Sequence, residues 1–148
     1  MNVKKIEMPI SKVDKKSRVI YGVVLKASKE FDDKGNPTDF EDTDGNWVTT
    51  DEVKKACHGF NKKLQMRKAF KGGVDKQHNE VAGYGVVVES YIAKAAEPEI
   101  NAEAGDWVAA VEVLNDDCWN EVLKGDITGF SIGGKANILT AEGGEELE

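Results

Sequence analysis

The chain has 148 residues, with 20 Lys and Arg against 27 Asp and Glu and a net charge of −7. That length suits one domain with a real core, and the acid excess argues against nucleic acid as a main partner, since phosphate binding needs a basic face. No apolar run reaches the ~20 residues of a membrane span, and the charged stretch from Met1 to Asp14 lacks the apolar segment of a secretion signal. The reading is one domain over residues 1–148, with its core at about 17–140 and a polar tail at 141–148, and neither membrane-bound nor secreted.

Taken in order, residues 1–16 are lysine-rich, with Ile6, Met8 and Ile10 alternating as in a short edge strand. Ser17 to Ala27 reads as a strand apolar on both faces, suited to a barrel wall. Glu30 to Asn46 is acidic and turn-rich. As a calcium loop it fails, because Phe40 would occupy the first ligand position and Asp51 the twelfth. Thr49-Thr50-Asp51-Glu52 is a capping box, and Val53, Ala56, Cys57, Phe60 and Leu64 follow at helical spacing up to about Met66. His58 lies beside that stripe, as a surface histidine would. The basic cluster from Lys62 to Lys71 reads as a solvated helix end.

His78 sits in a loop that feeds the next strand, Ala82 to Ala93. There Val86, Val88, Ser90 and Ile92 alternate with Val87, Glu89 and Tyr91. Lys94 to Gly105 reads as a mobile polar loop, and Asp106 to Leu114 as a third strand. Asp116 or Asp117 then caps a helix closed by Gly125. No internal repeat is evident. Strands with two inserted helices and no regular βαβ alternation predict an α+β protein, built on a mainly antiparallel sheet that could close into a β-barrel flanked by helices.

The stretch Thr128 to Ala136 carries the chemistry. With period two, Phe130, Ile132, Ala136 and Ile138 share one face, while Gly129, Ser131 and Gly133 share the other. Ser131 therefore stands between residues without side chains, and Gly133 and Gly134 offer backbone N–H groups to an oxyanion. A Ser/Gly-rich edge strand without chemistry fits the same pattern. A serine nucleophile needs a base. Of the two histidines, His78 is in a loop and is the better placed, although a structural histidine fits equally well. Cys57 and Cys118 lie on apolar helix faces, where thiols are usually inert. There is no metal-ligating cluster, P-loop or dinucleotide motif, so no cofactor is implied.

Six segments in a fixed order carry a resemblance: YGVVLKAS, DEVKKACHGF, VDKQHN, VVVESYIAKA, GDWVAAVEVLNDDCWNEVLKGD and TGFSIGGKA. Together they run from Tyr21 to Ala136, and the chain resembles the XkdF-like branch of phage prohead (capsid maturation) serine proteases. The resemblance implies a fold similar to the herpesvirus assemblin proteases, a β-barrel flanked by helices with the serine and histidine on its outer surface. It implies Ser131 as nucleophile and His78 as general base. Glu89, in the matched VES segment, is the preferred third residue, with Asp126 and Glu112 as alternatives. It further implies a serine endopeptidase of the prohead, in the bacterial host cytoplasm, that cleaves scaffolding or major capsid protein and in some cases itself, and that can act as a homodimer. A different class also fits: a non-catalytic capsid-assembly barrel that binds scaffold peptide by strand addition.

Overall fold

The structure, a computed structural model, describes residues 6–42, 44–70, 85–132, 136–140 and 145–146. It is α+β. The strands are β1 (Ile6–Pro9), β2 (Lys12–Asp14), β3 (Val19–Leu25), β4 (Gly85–Ile92), β5 (Trp107–Val113), β6 (Ile127–Ile132), β7 (Ala136–Thr140) and β8 (Glu145–Glu146), with helices α1 (Thr50–Phe70) and α2 (Asp116–Lys124). All ladders are antiparallel and fall into two four-stranded sheets, ordered β1-β6-β7-β8 and β2-β3-β5-β4.

The predicted edge strand near the N-terminus is two strands, and it joins the sheets. Ile10 N–H donates to Thr128 C=O at 2.9 Å, and the next residue, Ser11, donates to Tyr21 C=O at 2.8 Å. The chain thus leaves β6 and joins β3 within one residue. This crossing is close: a Cβ on Gly22 would collide with the Pro9 carbonyl oxygen and come within 2.7 Å of Met8 Cγ. Only glycine lets the two backbones approach there. At the far side β4 runs beside β7, but no ladder joins them among the described residues. The expected closed barrel is not found among the described residues, whose strands form two separate four-stranded sheets.

The core fills the space between the sheets. Met8, Ile20, Trp107, Val111 and Phe130 are fully buried in it; Val53 and Cys57 enter from α1, and Cys118, Trp119 and Val122 from α2. Phe60 packs on Trp107 with ring centroids 5.6 Å apart. Helix α1 begins with the predicted capping box: Thr49 N–H donates to Glu52 Oε1 at 2.9 Å, and Glu52 N–H returns to Thr49 Oγ1 at 3.2 Å. It runs one turn past Met66. Asn115, not Asp116 or Asp117, caps α2, its side chain accepting from Cys118 N–H at 2.8 Å. The two aspartates sit in the first turn, where their charge meets the helix dipole.

Two loops differ from expectation. Residues 94–105 are pinned down: Ile100 and Ala102 are buried against Tyr21, Val23 and Tyr91, and Tyr91 OH reaches both Glu97 carboxylate oxygens, at 2.9 and 3.0 Å. The acidic loop contains a short repeat that the sequence reading missed. In Asp32–Asn36 and again in Asp42–Asn46, the aspartate N–H bonds the asparagine C=O, a left-handed glycine follows, and Oδ1 accepts from the N–H groups two and four residues on. Asp32 and Asp42 thus cap their own turns, and the flanking Phe31 and Trp47 rings meet at 5.2 Å.

Candidate active site

The organising stretch is not one strand but the hairpin β6–β7, joined through residues 133–135. Its apolar residues share a face because they are cross-strand partners: Phe130 pairs with Ile138 and Ile132 with Ala136. On its other side β6 pairs with β1, so residues line up in rows across three strands. Ile6, Ile132 and Ala136 form one row; Met8, Phe130 and Ile138 form another. Met8 and Phe130 are both wholly buried, which marks the second as a core row. The row between them is Glu7, Ser131 and Asn137. Faces alternate along a strand, so this polar row belongs to the face turned from the core. The next row on that face passes through Gly129, so beside Ser131 the face carries no side chain from β6.

The local sequence pattern singles out Ser131 but not its cross-strand neighbours. Directly opposed residues have Cβ atoms about 4.5–5.5 Å apart, so Glu7 and Asn137 occupy the positions nearest to Ser131 across the ladders. No motif spacing signals them, because they lie on other strands and only register brings them in. The register also bears on peptide docking. Both edges of β6 at Ser131 are taken, by Glu7 on one side and Asn137 on the other. An extended peptide cannot add there as a new strand, and has to lie across the outer face.

His78, Gly133 and Gly134 lie outside the described residues. His58 is on the exposed side of α1. Glu89 belongs to β4, in the other sheet. A bulge at Val88 breaks the expected alternation there: Val87 pairs with Val111 and Glu89 with Ala110. Val87 consequently packs with the core and Val88 is exposed. The bulge moves Glu89 to the outer face, where Tyr21 OH donates to Oε2 at 3.2 Å. Burial raises the Tyr21 phenol pKa, and the Glu89 charge adds to it. Lys12 Nζ lies 5.1 Å from the Tyr21 ring centroid. Bulges often re-aim a side chain near a functional site. Ser90, next to Glu89, is the anchor of β4. Its hydroxyl accepts from Trp107 Nε1 at 2.9 Å, and its carbonyl accepts from Asn61 Nδ2 of α1 at 3.1 Å.

The alternatives to Glu89 are less well placed. Glu112 is half-buried on β5 between Val19 and Val86. Asp126 is exposed at the start of β6, and five extended residues separate it from Ser131 by roughly 15 Å. The cysteines are poor nucleophiles: both are free and buried. Burial raises the Cys57 thiol pKa and pushes Cys118 up to about 12, so neither is a thiolate near neutral pH. Among the described residues no three His, Cys, Asp or Glu side chains group as metal ligands, and no helix is long and apolar enough to cross a membrane.

Two relatives come from Bacillus subtilis (strain 168). The uncharacterized protein YqbD is 32% identical over 133 residues, covering 88% of this chain and 35% of its own. The phage-like element PBSX protein XkdF is 28% identical over 143 residues, covering 94% of this chain and 44% of its own. The chain therefore spans less than half the length of these relatives. No solved structure matches it. The family model described as "Putative phage serine protease XkdF" matches residues 5–140, nearly the whole chain, and the protein belongs to that family.

Proposed function

We propose that this protein is a serine endopeptidase of phage prohead maturation, acting on scaffolding or major capsid protein segments and in some cases on itself. The carrying observation is the polar row through Ser131, which alternates along β6 with the buried row of Met8 and Phe130. Family membership adds the activity class. In the assemblin-like arrangement that the resemblance implies, the reactive groups stand outside the barrel.

In this reading His78 takes the Ser131 proton as Oγ bonds to the scissile carbonyl carbon, and the carbonyl π pair moves onto oxygen. Collapse breaks the C–N bond, and the leaving amine takes the proton from the imidazolium. Water then attacks the acyl-enzyme by the same route in reverse, restoring Ser131 and releasing the new carboxyl terminus. Gly133 and Gly134 contribute backbone N–H donors to the oxyanion. Glu89, turned outward by the Val88 bulge, orients His78. The residues need no cofactor for these steps. The enzyme works within the prohead, in the host cytoplasm, alone or as a homodimer.

The test is co-expression with the cognate capsid and scaffolding proteins, wild type against His78→Ala, read by intact mass. Discrete products in the wild type that vanish in the variant support the reading. Uncleaved partners in both favour the non-catalytic assembly module.

A further inference from the structure

Between β3 and α1, residues 30–47 carry seven acids against one lysine. The two rings that bracket this loop's turns, Phe31 and Trp47, stand clear of the core. They are 41% and 38% exposed, and they pack on each other with planes tilted by 55°. Aromatic rings of this size ordinarily bury most of their surface. The loop does not depend on them for its shape. Its base is closed by Ser28 N–H donating to Val48 C=O at 2.8 Å, and by the Ser28 hydroxyl donating to Phe40 C=O. Thr38 N–H donates to Glu30 C=O at 2.8 Å, and the Asp39 carboxylate accepts from Lys29 N–H at 2.9 Å and Glu30 N–H at 3.2 Å. Asp32 and Asp42 hold the two turns. The rings are thus presented by a frame that polar bonds have already set.

We propose that this loop is a docking surface for a lysine- or arginine-bearing segment of a partner protein, with the Phe31–Trp47 pair taking a cationic side chain and the nearby carboxylates its basic neighbours. Charge selects this occupant. Asp32, Asp39 and Asp42 direct their oxygens to backbone N–H groups. Asp33, Glu41 and Asp44 are exposed and, among the described residues, join no ion pair. A surface this negative repels nucleic acid, anionic membranes and a second copy of a chain whose net charge is −7. It attracts a basic peptide. The ring faces attract ammonium and guanidinium groups through their quadrupole, and they cover the aliphatic stems of the same side chains. A bare metal ion would make no use of the rings, and no metal-ligand cluster is found among the described residues. Because the frame is set beforehand, little ordering opposes binding. The surface is separate from the chemistry at Ser131 and does not rest on the protease reading.

The test is fluorescence anisotropy with the purified chain. The probe is a labelled peptide of Lys and Arg alternating with Gly and Ser, and the control carries Glu in their place. Saturable binding of the basic peptide, weakened by salt, is expected, with none of the acidic one. Trp47→Leu keeps apolar bulk but removes the better cation–π face, and is expected to weaken binding about fivefold. Asp33→Asn combined with Asp44→Asn removes two charges that cap neither turn, and is expected to weaken it about threefold to tenfold at low salt. Circular dichroism and thermal melting establish that the variants fold; if Trp47→Leu does not, Phe31→Leu and the charge variant decide. A basic peptide bound no better than the acidic control overturns the proposal. So does binding that the folded ring variants leave within about twofold, which is diffuse charge attraction alone. Self-association of the wild type on size exclusion, lost in Trp47→Leu, would give the rings to a second copy and likewise overturn it.

Discussion

Ser131→Ala is expected to abolish cleavage while leaving the fold in place. Removing a serine nucleophile leaves only the residual acceleration of binding and oxyanion stabilisation, and the loss in kcat is at least about 10³-fold. The fold survives because the strand does not depend on the hydroxyl. The backbone at Ser131 is paired on both sides, with Glu7 and Asn137, and the neighbouring Phe130 is wholly buried. Alanine preserves these ladders, and an outer-face change of one oxygen usually alters stability by no more than about 0.5 kcal/mol. Peptide turnover and urea melts on the same samples check both halves. A variant that loses cleavage only because it unfolds would show a shifted midpoint.

The largest stability effect is expected at Asp106. Its carboxylate is entirely buried, with relative exposure of 0%. It accepts from Lys29 Nζ at 2.9 Å, Lys26 Nζ at 3.0 Å, Ala27 N–H at 3.1 Å and Glu103 N–H at 2.9 Å. These four contacts fasten the start of β5 to the end of β3 and to the loop before it. Burial by itself raises the carboxyl pKa; Lys29, the two backbone donors and Lys26 outweigh it and leave it below the usual carboxylate value. Asp106→Ala leaves two lysines and two N–H groups without their acceptor. Breaking a buried pair in this way costs about 3–5 kcal/mol, read as a lower urea midpoint at unchanged slope. Because the folded pKa is depressed, the stabilisation is full above the unfolded value of about 3.9 and is lost as pH falls through the folded pKa. The gap in urea midpoint between wild type and Asp106→Ala should therefore narrow as pH falls below about 4. A variant as stable as wild type at pH 7 would contradict the reading of Asp106 as a buried clasp.

Local chemistry was legible in the sequence where it is enclosed in a few residues. The Thr49–Glu52 capping box is one case, since both partners lie within one turn. The three long strands also followed from period-two patterning. Patterning failed where geometry depends on a partner strand. The apolar residues of the last segment alternate equally well in one long strand or in a hairpin, and only the glycines at 133 and 134 hinted at the second. The Val88 bulge is invisible in VVVESY, because any of its three valines suits either face; the bulge exists because Val87 pairs with Val111 and Glu89 with Ala110. Asn115 displaced the two aspartates as helix cap because the extended backbone, φ −92° and ψ 127°, falls at Asn115. Glu7 and Asn137 are the clearest omissions. Their relation to Ser131 is one of ladder register across distant parts of the chain, which no local spacing encodes.

The central claim is that Ser131 is an activated nucleophile, and its reaction with a fluorophosphonate probe, mapped by peptide mass spectrometry, tests this most directly. A single adduct on Ser131 in the wild type, absent in Ser131→Ala and strongly reduced in His78→Ala, is the predicted result. A wild-type protein that stays unmodified, or that is modified on another residue, would contradict it.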